Sequence, residues 1–159
     1  MAQDNKTNVM RLIEAKNLPY KARQYDPETT RGVEVAQLLG QEAPQMFKTL
    51  VTQGKSGGHY VFVIPVAEEL DLKKAAKAVG EKSIAMIKSK ELLPLTGYIH
   101  GGCSPIGMKK FFPTCVHESA KDQKTIFFSA GKVGFQVEMA PRDLEKMIRL
   151  RYADLVVRE

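Results

Sequence analysis

Four glycines, a proline and a serine crowd into Gly97-Tyr98-Ile99-His100-Gly101-Gly102-Cys103-Ser104-Pro105-Ile106-Gly107-Met108-Lys109-Lys110, between two segments that read as strands. Glycines so placed let the backbone adopt positive φ and let a ligand come close to main-chain N–H groups. Successive exposed amides form a concavity suited to a phosphate or to the oxyanion of an acyl-transfer reaction. Lys109 and Lys110 add positive charge beside it. A plain hairpin needs far fewer turn residues, so the loop reads as a site. Lys48 is the second candidate, an ammonium in the otherwise apolar run Met46-Phe47-Lys48-Thr49-Leu50-Val51. Strand alternation puts it on one side with Met46 and Leu50, which is costly unless it meets an anion or lines a cleft. Snorkelling at a sheet edge is the competing reading.

Two further constellations are weaker. Ser129-Ala130-Gly131-Lys132-Val133-Gly134 is a second small-residue turn, but it lacks the spacer and Lys-Ser/Thr pair of a P-loop and alone reads as a hairpin turn. His100, Cys103, Cys115 and His117 offer nitrogen and sulfur ligands of the kind zinc takes, yet their spacing matches structural zinc sites only loosely. Cys103 activated by His100 would make a nucleophile, but no Asn or Asp is evidently placed to orient that histidine. Buried cysteines and a solvated histidine are the preferred reading, and neither a metal nor a cofactor is expected. Glu68 and Glu69 read as solvated linker carboxylates.

These residues need a scaffold, and the chain supplies one mixed α/β domain over residues 1–159. Its 159 residues are 43% hydrophobic and 26% charged, ordinary for a globular protein with a full core. The formal charge of +6 favours an anionic partner, nucleic acid first, although no Lys/Arg run exceeds two residues and any basic footprint must be assembled by folding. The polar start lacks a signal-peptide core, and the longest apolar run, Tyr60 to Ala67, cannot span a bilayer. With two cysteines there is no disulfide framework, so a reducing cytoplasm and no membrane are expected. Helical spacing marks Val9 to Lys16, Val33 to Leu39 before Gly40, Asp71 to Gly80, a short stretch near Lys90 to Leu93, and Pro141 to Arg149 with a basic tail after it. Strands are expected at Tyr20–Tyr25, Phe47–Thr52, His59–Val66, Ser83–Ile87, Thr114–His117, Thr125–Ser129 and Gly134–Met139, with Gln53–Gly58 as a hairpin turn.

Taken in order, these pieces resemble the YbaK/EbsC family of aminoacyl-tRNA deacylases. The match is carried by Phe47-Lys48-Thr49-Leu50-Val51, Leu70-Asp71-Leu72-Lys73-Lys74-Ala75-Ala76-Lys77, Thr96-Gly97-Tyr98, the Gly101–Lys110 loop and Ser129-Ala130-Gly131-Lys132, and it runs along essentially the whole chain. The resemblance implies the fold of the editing domain of bacterial prolyl-tRNA synthetases, a twisted mixed sheet curled into a partial barrel around a small pocket and flanked by helices. It implies trans-editing: removal of cysteine mischarged on the tRNA for proline, with the aminoacyl-tRNA 3′ CCA end as substrate and prolyl-tRNA synthetase as a partner. Lys48 is then expected to hold the terminal nucleotide or its phosphate, and the Gly101 and Gly102 amides to steady the oxyanion. Tyr25, Phe47, Ser129, Gly131 and Gln136 are expected to line the substrate pocket.

Three departures bear on substrate range: Cys103 at an aliphatic position, Ala130 at a glycine of the Ser-Gly-Gly-Lys turn, and Gln136 where Asp or Ser is common. The family route is substrate-assisted, the cysteine thiol attacking its own carbonyl. A water-using deacylase for another small residue such as alanine, or a non-catalytic RNA- or nucleotide-binding module, remains open. Nothing in the residues speaks to oligomeric state.

Overall fold

The computed structural model describes residues 6–25 and 43–158. The helix expected over Val33 to Leu39 lies outside them. Eight strands form two sheets. β1 (Lys21–Gln24), β6 (Ile126–Ser129) and β7 (Phe135–Met139) make a three-stranded antiparallel sheet in the order β1-β7-β6. β2 (Phe47–Gly54), β3 (His59–Pro65), β4 (Ile84–Met86), β5 (Thr114–His117) and β8 (Leu150–Ala153) make a five-stranded sheet in the order β4-β2-β3-β5-β8. Its β4-β2-β3 part is antiparallel, and β3-β5-β8 is parallel. The mixed α/β fold expected is the one that forms, in two sheets that a parallel bridge from Met46 to Phe127 stitches together without closing a barrel.

The centre of β3, Val61 to Ile64, is apolar on both faces, as a strand covered on both sides must be. On β3, Val61 and Val63 enter a core with Phe128, Val137 and helix α1 (Asn8–Ala15), whose Val9, Met10 and Ile13 supply the inward stripe. Phe62 and Ile64 point to the opposite face, under Ala75 and Ala76 of helix α2 (Leu72–Val79). Two local signals bound α2: the Asp71 carboxylate accepts from the Lys73 and Lys74 N–H groups, and Gly80 ends it at φ +76°. Helix α3 (Ser89–Thr96) runs longer than the Lys90–Leu93 expected, carries Pro94 inside it, and stops at Gly97 with φ +86°.

The C-terminal segment departs most from expectation. Helix α4 (Pro141–Met147) stops short of Arg149, and the stretch read as a basic tail is strand β8, parallel to β5. Its side chains are half-buried or exposed, because β8 is an edge strand, so it shows neither alternation nor an apolar run. Beyond it Leu155 is fully buried, its N–H donates to Nδ1 of His117 at 3.1 Å, and Val156 bridges Leu70. Among the described residues no helix is long and apolar enough to cross a membrane.

Candidate active site

The split between the two sheets is where the chemistry collects. β2 meets the small sheet at Met46 and meets β4 only from Thr52 onward, so Lys48 to Leu50 border an open edge. The ladder fixes which groups point into that edge. Even-numbered β2 residues bond to β3, as Val66 N–H to Met46 O and Gly54 N–H to Gly58 O show, both at 2.8 Å. Odd-numbered ones point the other way, as Ile87 N–H to Val51 O at 3.4 Å shows. The Thr49 N–H and C=O therefore face the gap, and neither has a partner among the described residues.

The gap is a half-open cavity of about 170 Å³. Tyr25, Phe47, Lys48, Gly101, Ser129 and Gln136, all expected at the site, line it. Met46, Thr49, Leu50, Val66, Leu92, His100 and Cys103 complete the wall. Of these, His100 had attracted notice only as a metal ligand or a partner for Cys103, Cys103 also as a departure at an aliphatic position, and alternation had placed Thr49 on the face opposite Lys48. Among the described residues no three His, Cys, Asp or Glu side chains come close enough to hold a metal ion. His117 is committed elsewhere, to Leu155.

Burial pulls the Lys48 ammonium below its usual pKa, partly opposed by the carboxylates of Glu69 and Glu68, so the linker acids bear on the site through Lys48. Cys103 is 8% exposed, and burial pushes its thiol up to about 12, which leaves it protonated and unreactive at neutral pH. Ser129 Oγ accepts from Gly131 N–H at 3.1 Å, a turn-closing bond. Gln136, expected at the pocket edge, is in the wall: it is 7% exposed, and its Oε1 is buried without a partner among the described residues. Thr49 Oγ1 is in the same condition.

Gly102 and Gly131 do not line the cavity; they fix the loop that does. The Gly102 N–H donates to Ile99 O at 3.0 Å, so of the two amides expected at the oxyanion only that of Gly101, at φ +86°, lacks an acceptor among the described residues. A Cβ on Gly102 would lie 3.0 Å from the Val133 nitrogen, so the loop rests backbone to backbone on the 129–134 turn. Gly131, at φ +94°, gives room to Tyr98, whose ring a Cβ there would meet at 3.0 Å. Tyr98 in turn donates to Ile106 O at 2.5 Å. One aromatic side chain thus ties the loop to the turn.

Two stitched sheets split over a small cavity, with the half-buried Lys48 and the Gly101 loop amide in its wall, make a mixed α/β domain. The chain belongs to the aminoacyl-tRNA editing domain family, whose sequence profile matches residues 26–147. It is 46% identical over 156 residues, 97% of this chain and 95% of the relative, to an Enterococcus faecalis protein carrying the provisional name Cys-tRNA(Pro)/Cys-tRNA(Cys) deacylase EbsC. It is 32% identical over 93 residues to the proline–tRNA ligase of Thermodesulfovibrio yellowstonii, covering 58% of this chain but 16% of that enzyme. Among solved structures, a proposed trans-editing enzyme for prolyl tRNA synthetase superposes with a TM-score of 0.82 at 25% identity, covering 96% of this chain and 99% of that one.

Proposed function

We propose that this protein is a trans-editing deacylase that removes cysteine from mischarged tRNA for proline, in the cytoplasm and beside prolyl-tRNA synthetase. The observation that carries the reading is the make-up of the cavity wall. It holds a cation and an unpaired loop amide, but its own Cys103 thiol is held protonated by burial, and Ser129 has no histidine partner among the described residues. A site of this kind binds and polarises; it does not attack. An aminoacyl ester is already activated, so positioning plus oxyanion stabilisation suffices if the nucleophile comes with the substrate.

In this reading Lys48 holds the terminal nucleotide through its phosphate, and the Gly101 N–H faces the ester carbonyl oxygen. The substrate's thiol sulfur bonds to its own carbonyl carbon and the carbon–oxygen bond to the ribose breaks. The thiol proton passes to the departing ribose oxygen, leaving a thiolactone that water opens later. The name of the Enterococcus relative, and the proline–tRNA ligase match, support cysteine and the proline system as substrate class and setting.

The experiment is a panel of tRNA for proline charged with cysteine, serine or alanine. Release of cysteine is expected to outpace both others, because a hydroxyl is a far weaker nucleophile than a thiol at neutral pH and alanine has none. Equal release of cysteine and alanine would mean that water attacks, and the thiol route would fall.

A further inference from the structure

Three acceptors on residues of the cavity wall lack a donor among the described residues: Thr49 O on the open edge of β2, and the buried Thr49 Oγ1 and Gln136 Oε1. Gln136 is more than nine-tenths buried. Leaving a buried acceptor unpaired carries a substantial desolvation cost, and a native site tolerates it where a ligand fills the vacancy. Gln136 is neutral, so what it and Thr49 offer is a set of carbonyl and hydroxyl dipoles.

Resting on the deacylase reading, we infer that Thr49 and Gln136 form the seat of the α-ammonium group of the esterified amino acid. The donor count selects the occupant. A thiol or a ribose hydroxyl brings one donor, an adenine amino group two, and an ammonium three. A phosphate or carboxylate could take the Thr49 hydroxyl and the Gln136 amide N–H groups, but it would leave the acceptor-only Thr49 O and Gln136 Oε1 unpaired. With the ammonium on this seat, the ester carbonyl is left for Gly101 and the phosphate for Lys48, three different groups for three different parts of one substrate.

The seat also sets what the enzyme refuses. An amine already acylated, as in peptidyl-tRNA, loses its charge and keeps one N–H, so it can satisfy at most one of the three acceptors. The protein therefore spares growing peptides while clearing free aminoacyl esters.

The test uses a ligand that cannot turn over, 3′-cysteinylamino-3′-deoxyadenosine 5′-monophosphate, and its counterpart lacking the amino group, the 3-mercaptopropionyl amide. Titration calorimetry on the wild-type protein is expected to favour the amine-bearing ligand by about 10- to 100-fold, the usual worth of hydrogen bonds to a charged group. Gln136→Leu is expected to remove most of that preference while leaving the desamino ligand within about twofold of its wild-type affinity. Gln136→Glu, nearly isosteric, restores the preference and makes it salt-dependent. Equal wild-type affinity for the two ligands, binding of neither, or equal weakening of both by Gln136→Leu would overturn the inference. A preference for the amine in a protein that releases no amino acid from tRNA would keep the seat and sink the deacylase reading.

Discussion

Lys48 is pulled two ways, and its pH behaviour follows. Burial favours the neutral amine and so holds the pKa below the ordinary 10.5, with Glu69 and Glu68 opposing. Phosphate binding that needs the ammonium is complete below the lowered value and is lost as pH rises through it. Stability moves the other way: between the lowered value and 10.5 the unfolded chain binds the proton more tightly, so the fold gains as pH rises through that window. The affinity of the 5′-monophosphate ligand is therefore expected to fall with rising pH before an ordinary lysine would lose its proton, whereas Lys48→Arg, whose guanidinium stays charged, holds its affinity through the same rise. Lys48→Ala abolishes deacylation with an unchanged circular dichroism spectrum; full activity in it would remove Lys48 from the mechanism. At this scale the sequence was readable where a residue broke a pattern, as Lys48 does in an apolar run. It was unreadable where the decisive fact was a missing partner. Thr49 and Gln136 are ordinary strand residues until the open edge beside them is known.

The loop and the turn act as one element because glycine lets their backbones touch. Gly102→Ala drives a methyl to 3.0 Å from the Val133 nitrogen, a backbone atom that cannot swing away. Overpacking of this kind costs about 1–3 kcal/mol. The expected result is a lower melting temperature together with a fall in kcat, since a displaced loop carries the Gly101 amide off the carbonyl. Gly80→Ala, on the far side of the five-stranded sheet and with open space around its Cβ, is expected to lose stability through its positive φ but keep kcat. Elements with a strong local signal were legible: the Asp71 cap and Gly80 stop of α2, the β2–β3 hairpin and Pro141 at the start of α4. Strand β8 was not, because an edge strand half open to water shows no alternation. Nor was the division into two sheets, because strand patterns do not say which strands pair; a long-range bridge between Met46 and Phe127 is what joins the two.

The whole molecule carries a formal charge of +6 without any long basic run, so a basic face for RNA has to be assembled from separate segments of the chain. In the proposed reading tRNA meets basic surface beyond the cavity, while the mononucleotide ligand engages the cavity alone. Raising potassium chloride from about 50 to about 200 mM is expected to raise KM for charged tRNA steeply, by counterion release, and to change mononucleotide affinity far less. Matching salt slopes for the two would mean that the protein recognises only the terminal nucleotide. The topology bears on how the molecule comes into being. β3 and β5 are parallel neighbours, β5 is completed on its outer side by β8, and Leu70 is bridged to Val156. Parallel pairing between segments so far apart in the chain is slow to form, because a long loop must close before any contact rewards it. On the ribosome the strands around the cavity emerge well before residues 150–156, yet the larger sheet stays short of its last strand until those residues are free. A nascent chain thus acquires its chemistry-bearing segments early and its finished scaffold last, and the interval between the two is when it is most exposed to misassembly.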